Sequence, residues 1–126
     1  MDLYKLRVED IMIRDFVTAD SSDKVANANL KMVRKGIGGL PVVDESRLVG
    51  IITHRDIVLS GENVMGLHVG DIMTKDVRTV ESSATIKDVV KLMSETGYQR
   101  IPVTEKGRLV GMVTQSCIIN ALSRCL

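Results

Sequence analysis

The sequence repeats itself. Shifted by 61 positions, Val8 to Val58 lies over Val69 to Ile119 without a gap. VEDIM (8–12) falls on VGDIM (69–73), Asp15 on Asp76, Thr18 on Thr79, Ser21-Ser22 on Ser82-Ser83, Met32 on Met93 and Gly36 on Gly97. LPVVDESRLVGIIT (40–53) then falls on IPVTEKGRLVGMVT (101–114), and roughly a third of the paired positions are identical. A unit of about 60 residues struggles to bury a core alone. Two copies are also fewer than the three or more that a solenoid needs. The expected solution is a pseudo-two-fold pair in which each unit covers the apolar face of the other. Repeat 1 with its lead-in occupies 1–62, and the linker with repeat 2 occupies 63–126.

One repeat reads as β-α-β-β-α. Val8–Ile13 is a short helical lead-in, and a brief extended segment surrounds Phe16–Thr18. Ser21 and Ser22 offer helix N-caps before Val25, Ala28, Met32 and Val33, which share one face at helical spacing. In the second copy Ile86, Val89, Val90 and Met93 form the same stripe. Gly36 and Gly97 stand where a left-handed C-cap belongs. Two aliphatic strands follow, 40–43 and 48–52, around the polar turn Asp44-Glu45-Ser46. Their counterparts are 101–104 and 109–113 around Glu105-Lys106-Gly107, again a hairpin pattern. A closing helix starts near Thr53 or Thr114. The class is α/β.

Composition removes several functions. With 17 basic and 16 acidic residues the net charge is +1, without the basic excess that phosphate neutralisation on nucleic acid requires. Aromatic residues make up 2%, too few for base-stacking platforms. No apolar run approaches the roughly 20 residues that span a bilayer, and the N-terminus lacks the apolar stretch of a secretory signal. Neither nucleic acid nor membrane is expected as a partner, and the cytoplasm is the expected compartment. Cys117 and Cys125 read as free thiols used as small apolar side chains. His54 and His68 have no cysteine or carboxylate at ligand spacing, so no metal is expected. Gly36-x-Gly38 follows a helix and runs into Pro41, the wrong context for a dinucleotide turn. No nucleophile is placed beside a base, so no enzyme is expected.

The repeat resembles the CBS domain, named for cystathionine β-synthase. The resemblance rests on DIM (10–12 and 71–73), on Gly-x₃-hydrophobic-Pro-Val (Gly36 to Val42 and Gly97 to Val103), and on RLVG-x-hydrophobic-Thr (47–53 and 108–114). Each piece is weak alone; their order and spacing, seen twice, carry the assignment over nearly the whole chain. The resemblance implies tandem repeats packed through their sheets into a Bateman-type module with two clefts. Such modules commonly bind AMP, ADP, ATP or S-adenosylmethionine as regulatory ligands, require no cofactor, and often form homodimers.

The most informative stretch is Gly50-Ile51-Ile52-Thr53-His54-Arg55-Asp56. A strand gives way to a helix at Thr53, so backbone N–H groups and the positive helix end suit a phosphate. Thr53 offers a hydroxyl there. The Asp56 carboxylate can accept hydrogen bonds from both ribose hydroxyls, and His54 and Arg55 can add positive charge. In the family this Thr-x-x-Asp position contacts ribose and phosphate, a role that Thr53 and Asp56 inherit by direct match. The same four residues also spell a capping box, with Thr53 as N-cap and Asp56 reaching back to its N–H. The two roles are compatible for Thr53 and less so for Asp56.

By resemblance, the other repeat completes that cleft. Val77 and Thr79 are placed on its first strand, and Tyr98, Gln99, Arg100, Ile101 and Pro102 lead into its second. Val77, Ile101 and Pro102 would sandwich a purine, Tyr98 would stack or close the rim, and Arg100 would reach a phosphate. An ordinary core role for Val77, Ile101 and Pro102, and a solvated one for Arg100, stand beside this reading. The second cleft, with Thr114, Cys117, Thr18, Gly39 and Leu40, is degenerate. Cys117 replaces the carboxylate and cannot accept two strong hydrogen bonds from a diol. One competent site is expected, in a ligand-sensing module acting on a separate effector protein. The competing expectation is an interaction or dimerisation scaffold that has lost its ligand, using the closing helices and the stripe Ile118-Ile119-x-x-Leu122.

Overall fold

The computed structural model describes residues 2–125. Its helices are α1 (Val8–Ile11), α2 (Val25–Lys35), α3 (His54–Leu59), α4 (Val69–Ile72), α5 (Ile86–Thr96) and α6 (Gln115–Cys125), with 3₁₀ turns at Leu3–Lys5 and Val64–Gly66. The strands are β1 (Gly39–Asp44), β2 (Arg47–Thr53), β3 (Val80–Glu81), β4 (Arg100–Glu105) and β5 (Arg108–Thr114). Among the described residues no helix is long and apolar enough to cross a membrane. The chain divides into two compact units, one spanning Val17–Val77 and the other joining the segment through Phe16 to the chain from Arg78 onward.

The unit Val17–Val77 is built on α2 and the β1–β2 hairpin. Val25, Ala28 and Met32 bury one face of α2. The helix stops at Gly36, whose φ of +65° lets its N–H reach the Met32 and Val33 carbonyls. In the antiparallel hairpin Leu40 pairs with Ile52 and Val42 with Gly50. Alternate residues therefore face a core of Ala19, Val25, Ala28, Met32, Leu40, Val42, Ile52, Ile57, Val64 and Val69.

The second unit repeats this plan around α5 and β3–β4–β5. Here β3 runs parallel to β4 and β4 antiparallel to β5. Its core gathers Val8, Met12, Val89, Leu92, Met93, Ile101, Val103, Val113 and Cys117.

These compact units are offset from the repeats at 1–62 and 63–126, and hydrogen bonds give the reason. In the unit Val17–Val77, the first N–H groups of α4 donate to Asp23 and Ser21, from Val69 at 2.8 Å and Gly70 at 2.8 Å. Thr74 then pairs antiparallel with Ile51 on β2. In the other unit, α1 does the same: Val8 donates to Ala84 at 2.8 Å, Glu9 to Ser82 at 3.0 Å, and Ile13 pairs with Met112 on β5. Each lead-in thus caps the three-residue loop before the long helix of the other repeat's sequence, which satisfies backbone groups at both ends.

Local expectations need correction at four places. Ser21 and Ser22 do not cap α2: the N-cap is Lys24, without a side-chain cap bond, and Ser21 bonds Asp44 instead. Thr85, at the matching position, does cap α5, in a capping box with Asp88. No strand forms at Phe16–Thr18; repeat 1 keeps a single parallel bridge, Ala19 to Val42. Val77 and Thr79 precede β3 rather than lying on it, because pairing with β4 begins at Val80. Val33 and Val90 are exposed, and Leu92 takes the buried place on α5; an α-helical face continues through i+3 and i+7, and residues one step off it turn to solvent.

Candidate functional site

The strand-to-helix turn at the end of β2 is closed by two residues. The Thr53 N–H donates to Asp56 Oδ2 at 2.9 Å, the Thr53 hydroxyl donates to the same oxygen at 3.0 Å, and the Asp56 N–H donates to Thr53 Oγ1 at 3.1 Å. The capping box is therefore formed, and both side chains are half-buried. It fixes the carboxylate at the start of α3, where an anion is favoured by the helix end. The His54 N–H is also engaged, donating to the Gly38 carbonyl at 3.1 Å. The turn thus offers a phosphate fewer backbone donors than an uncapped helix end would, and the Arg55 N–H is the donor left in the first turn.

What remains for a ligand is specific. Oδ2 of Asp56 already takes two hydrogen bonds, but Oδ1 takes one, from the Thr74 hydroxyl at 3.1 Å. A carboxylate has about four acceptor positions, so one on Oδ1 is open. The side chains of His54 and Arg55 are exposed and form no ion pair among the described residues. Ile51, half-buried, is held by Pro41 on one side and Thr74 on the other. Val77, half-buried, lies in the same unit, in the irregular segment after Thr74. The residues this unit brings together are Ile51, Thr53, His54, Arg55 and Asp56, with Thr74 as the partner that the motif did not name. A signal for it was present: position 74 falls on Ile13, just as Asp56 falls on Cys117, so both members of the pair change together.

Thr79, Tyr98, Gln99, Arg100, Ile101 and Pro102 lie in the other unit. Thr79, Tyr98, Gln99 and Arg100 are exposed. Ile101 is 0% exposed and belongs to the hydrophobic core, so its side chain has no surface to offer a purine. Pro102 is buried as well. The Gln99 carbonyl accepts the Gln115 N–H at 3.1 Å, the counterpart of Gly38 and His54.

The turn before α6 copies the backbone of the first turn without its charge. The Cys117 N–H donates to Thr114 Oγ1 at 3.2 Å and the Thr114 hydroxyl donates to Cys117 Sγ at 3.2 Å. Cys117 is a buried free thiol, a weak acceptor where Asp56 has a strong one. Of the remaining second-cleft residues, Leu40 is fully buried in its core, and the Thr18 carbonyl accepts from Lys31 Nζ at 2.8 Å. Gly39 pairs with Thr53, and a β-carbon there would stand 3.3 Å from Thr53 Cγ2. Among the described residues no cluster of three histidines, cysteines or carboxylates could hold a metal ion.

Comparison with known proteins identifies the family and the fold. The family model described as the CBS domain matches twice, at residues 8–61 and 69–124. The inosine-5'-monophosphate dehydrogenase of Korarchaeum cryptofilum is 40% identical over 109 residues, which cover 86% of this chain and 22% of that enzyme. The structure of MJ1225 from Methanocaldococcus jannaschii, a proposed archaeal homologue of γ-AMPK, superposes with a TM-score of 0.85 at 27% identity. That match covers 92% of this chain and 47% of MJ1225. CBSX2, solved in complex with AMP, gives a TM-score of 0.84 at 29% identity, covering 94% of this chain and 97% of CBSX2. The chain thus spans less than half the length of the dehydrogenase and of MJ1225. It belongs to the CBS domain family and carries two copies of the domain.

Proposed function

We propose that this chain is a non-enzymatic regulatory module that senses an adenosine-containing ligand, with AMP as the first candidate and ADP, ATP and S-adenosylmethionine as the others. The observation that supports it most is the half-buried Asp56 carboxylate with an acceptor position open on Oδ1, beside the unpaired cations of Arg55 and, when protonated, His54. A charged acceptor binds a ribose diol more strongly than a neutral one, and a nearby cation strengthens the hold on a phosphate. Thr53, His54, Arg55 and Asp56 would hold ribose and phosphate. Thr79 and Tyr98 to Pro102 enter the proposal through family resemblance alone, with Thr79, Tyr98, Gln99 and Arg100 exposed and Ile101 and Pro102 buried. Thr114 and Cys117 would bind weakly or not at all. Family membership and the AMP bound to CBSX2 support the ligand class.

Regulation on this reading acts in the cytoplasm on a separate effector or between two copies of the chain. The ligand changes the output only to the extent that it binds one state of the module better than another. A second reading, a scaffold without a ligand, is favoured by one observation: Val58 and Leu59 on α3 are 78% and 73% exposed.

Thermal shift with AMP, ADP, ATP and S-adenosylmethionine on wild type and Asp56→Asn separates the two. A ligand at about 100 times its Kd adds roughly 2.7 kcal/mol, several degrees for a chain of this size. The sensor reading expects a shift with an adenosine ligand that collapses in Asp56→Asn, measured from the variant's own unliganded Tm. A panel that leaves wild type unmoved favours the scaffold.

A further inference from the structure

We propose that Thr74 competes with the ligand for Asp56 and so sets how strongly the site distinguishes a ribose from a deoxyribose. This inference rests on the Asp56 site proposed above. Orientation of the carboxylate does not depend on Thr74, since the capping box already holds Oδ2 through the Thr53 N–H and hydroxyl. The Thr74 hydroxyl instead fills one of two acceptor positions on Oδ1, at 3.1 Å.

Its placement is fixed by the backbone. Thr74 N–H and carbonyl bond the Ile51 carbonyl and N–H at 2.8 and 2.9 Å, which holds residue 74 beside β2. The side chain is exposed, so a rotation about χ1 can release the hydroxyl to water without moving the backbone.

Counting acceptors then gives the consequence. A ligand with one ribose hydroxyl takes the open position on Oδ1 and leaves Thr74 in place. A vicinal diol needs a second position and obtains it by displacing the Thr74 hydroxyl, so its second hydrogen bond is offset by one lost. The other compact unit has Ile13 and Cys117 at the matching positions, neither of which can make this contact. The competitor occurs only where the carboxylate does.

The test is calorimetric titration of AMP and 2'-deoxy-AMP into wild type, Thr74→Val, Thr74→Ser and Asp56→Asn. Valine keeps the shape of threonine and removes the donor. Thr74→Val is expected to bind AMP about three- to tenfold tighter, the net scale of one ordinary solvent-exposed hydrogen bond, with 2'-deoxy-AMP nearly unchanged. The ratio of the two affinities therefore rises, and Thr74→Ser restores it to the wild-type value. If Thr74→Val binds AMP no tighter than wild type while Asp56→Asn loses it, the competition is overturned and the site stands. If wild type takes up no AMP, or Asp56→Asn binds AMP as wild type does, the site falls and the inference with it.

Discussion

The Ser21 hydroxyl donates to Asp44 Oδ2 at 2.6 Å, and at the matching place in repeat 2 the Ser82 hydroxyl donates to Glu105 Oε1 at 2.6 Å. Each serine ties the loop before the long helix to the end of the first hairpin strand. In repeat 1 the Ser21 N–H adds a second bond to Asp44 Oδ1 at 3.0 Å.

These bonds make stability depend on pH. The Ser21 hydroxyl, and after it the Ser21 N–H, holds the Asp44 carboxyl below the usual 3.8. A carboxyl lowered by folding contributes fully above 3.8, and the contribution is lost as pH falls through its lower folded value. Asp20 is shifted the other way, raised first by its hydrogen bond with Asp44 and then by burial. Its contribution favours the fold at low pH and is lost as pH rises through its raised value. Of these two carboxyls, Asp44 is the one that contributes at neutral pH. Ser21→Ala should lower Tm most near pH 7, with the deficit shrinking below about pH 3.8; a deficit independent of pH would mean the serine acts only through packing.

Gly50 and Gly111 hold equivalent places, but the cost of filling them differs. A β-carbon at 50 would stand 2.7 Å from Met73 Sδ and 2.8 Å from the Thr74 carbonyl oxygen. At 111 it would meet Met12 Sδ at 2.5 Å, with the Ile13 carbonyl farther away at 3.1 Å. Methionine can rotate aside and a paired backbone cannot. Gly50→Ala is expected to destabilise by about 2–3 kcal/mol and Gly111→Ala by about 1 kcal/mol less. Urea denaturation of both variants checks the order.

The two hairpin turns share a backbone, and at the second central position repeat 1 has serine where repeat 2 has glycine. Lys106 and Gly107 have φ of +52° and +81°, and Glu45 and Ser46 have +51° and +70°. Serine at the second position carries left-handed strain that glycine does not. Ser46→Gly should raise stability by about 0.5–1 kcal/mol, after allowing for the freedom glycine adds to the unfolded chain. An unchanged or lower Tm would place the strain elsewhere.

Much of this fold is legible because the sequence is written twice. Gly36 and Gly97 as helix ends, both hairpins, and the helix starts after Thr53 and Thr114 follow from local patterns that the second copy verifies. What local pattern misses is decided by distant partners. Ser21 has the chemistry of an N-cap, yet Asp44 offers it two bonds where the helix end offers one. The offset of the compact units from the repeats arises because α1 and α4 satisfy backbone groups of loops in the opposite repeat, a pairing no periodicity encodes. At the site, Thr53-x-x-Asp56 was readable both as capping box and as ligand contact. The structure shows the cap, and it adds Thr74, which reaches Asp56 from 18 residues away.

The most direct test of the account is a ¹⁵N-labelled titration with AMP, read by amide chemical shifts. One equivalent should saturate the changes, which should include Thr53, His54, Arg55, Asp56 and Thr74 and leave Ser116 and Cys117 near their free positions. Two equivalents with matched changes at both turns, or no change at Thr53 to Asp56, would contradict a single nucleotide site in the first repeat.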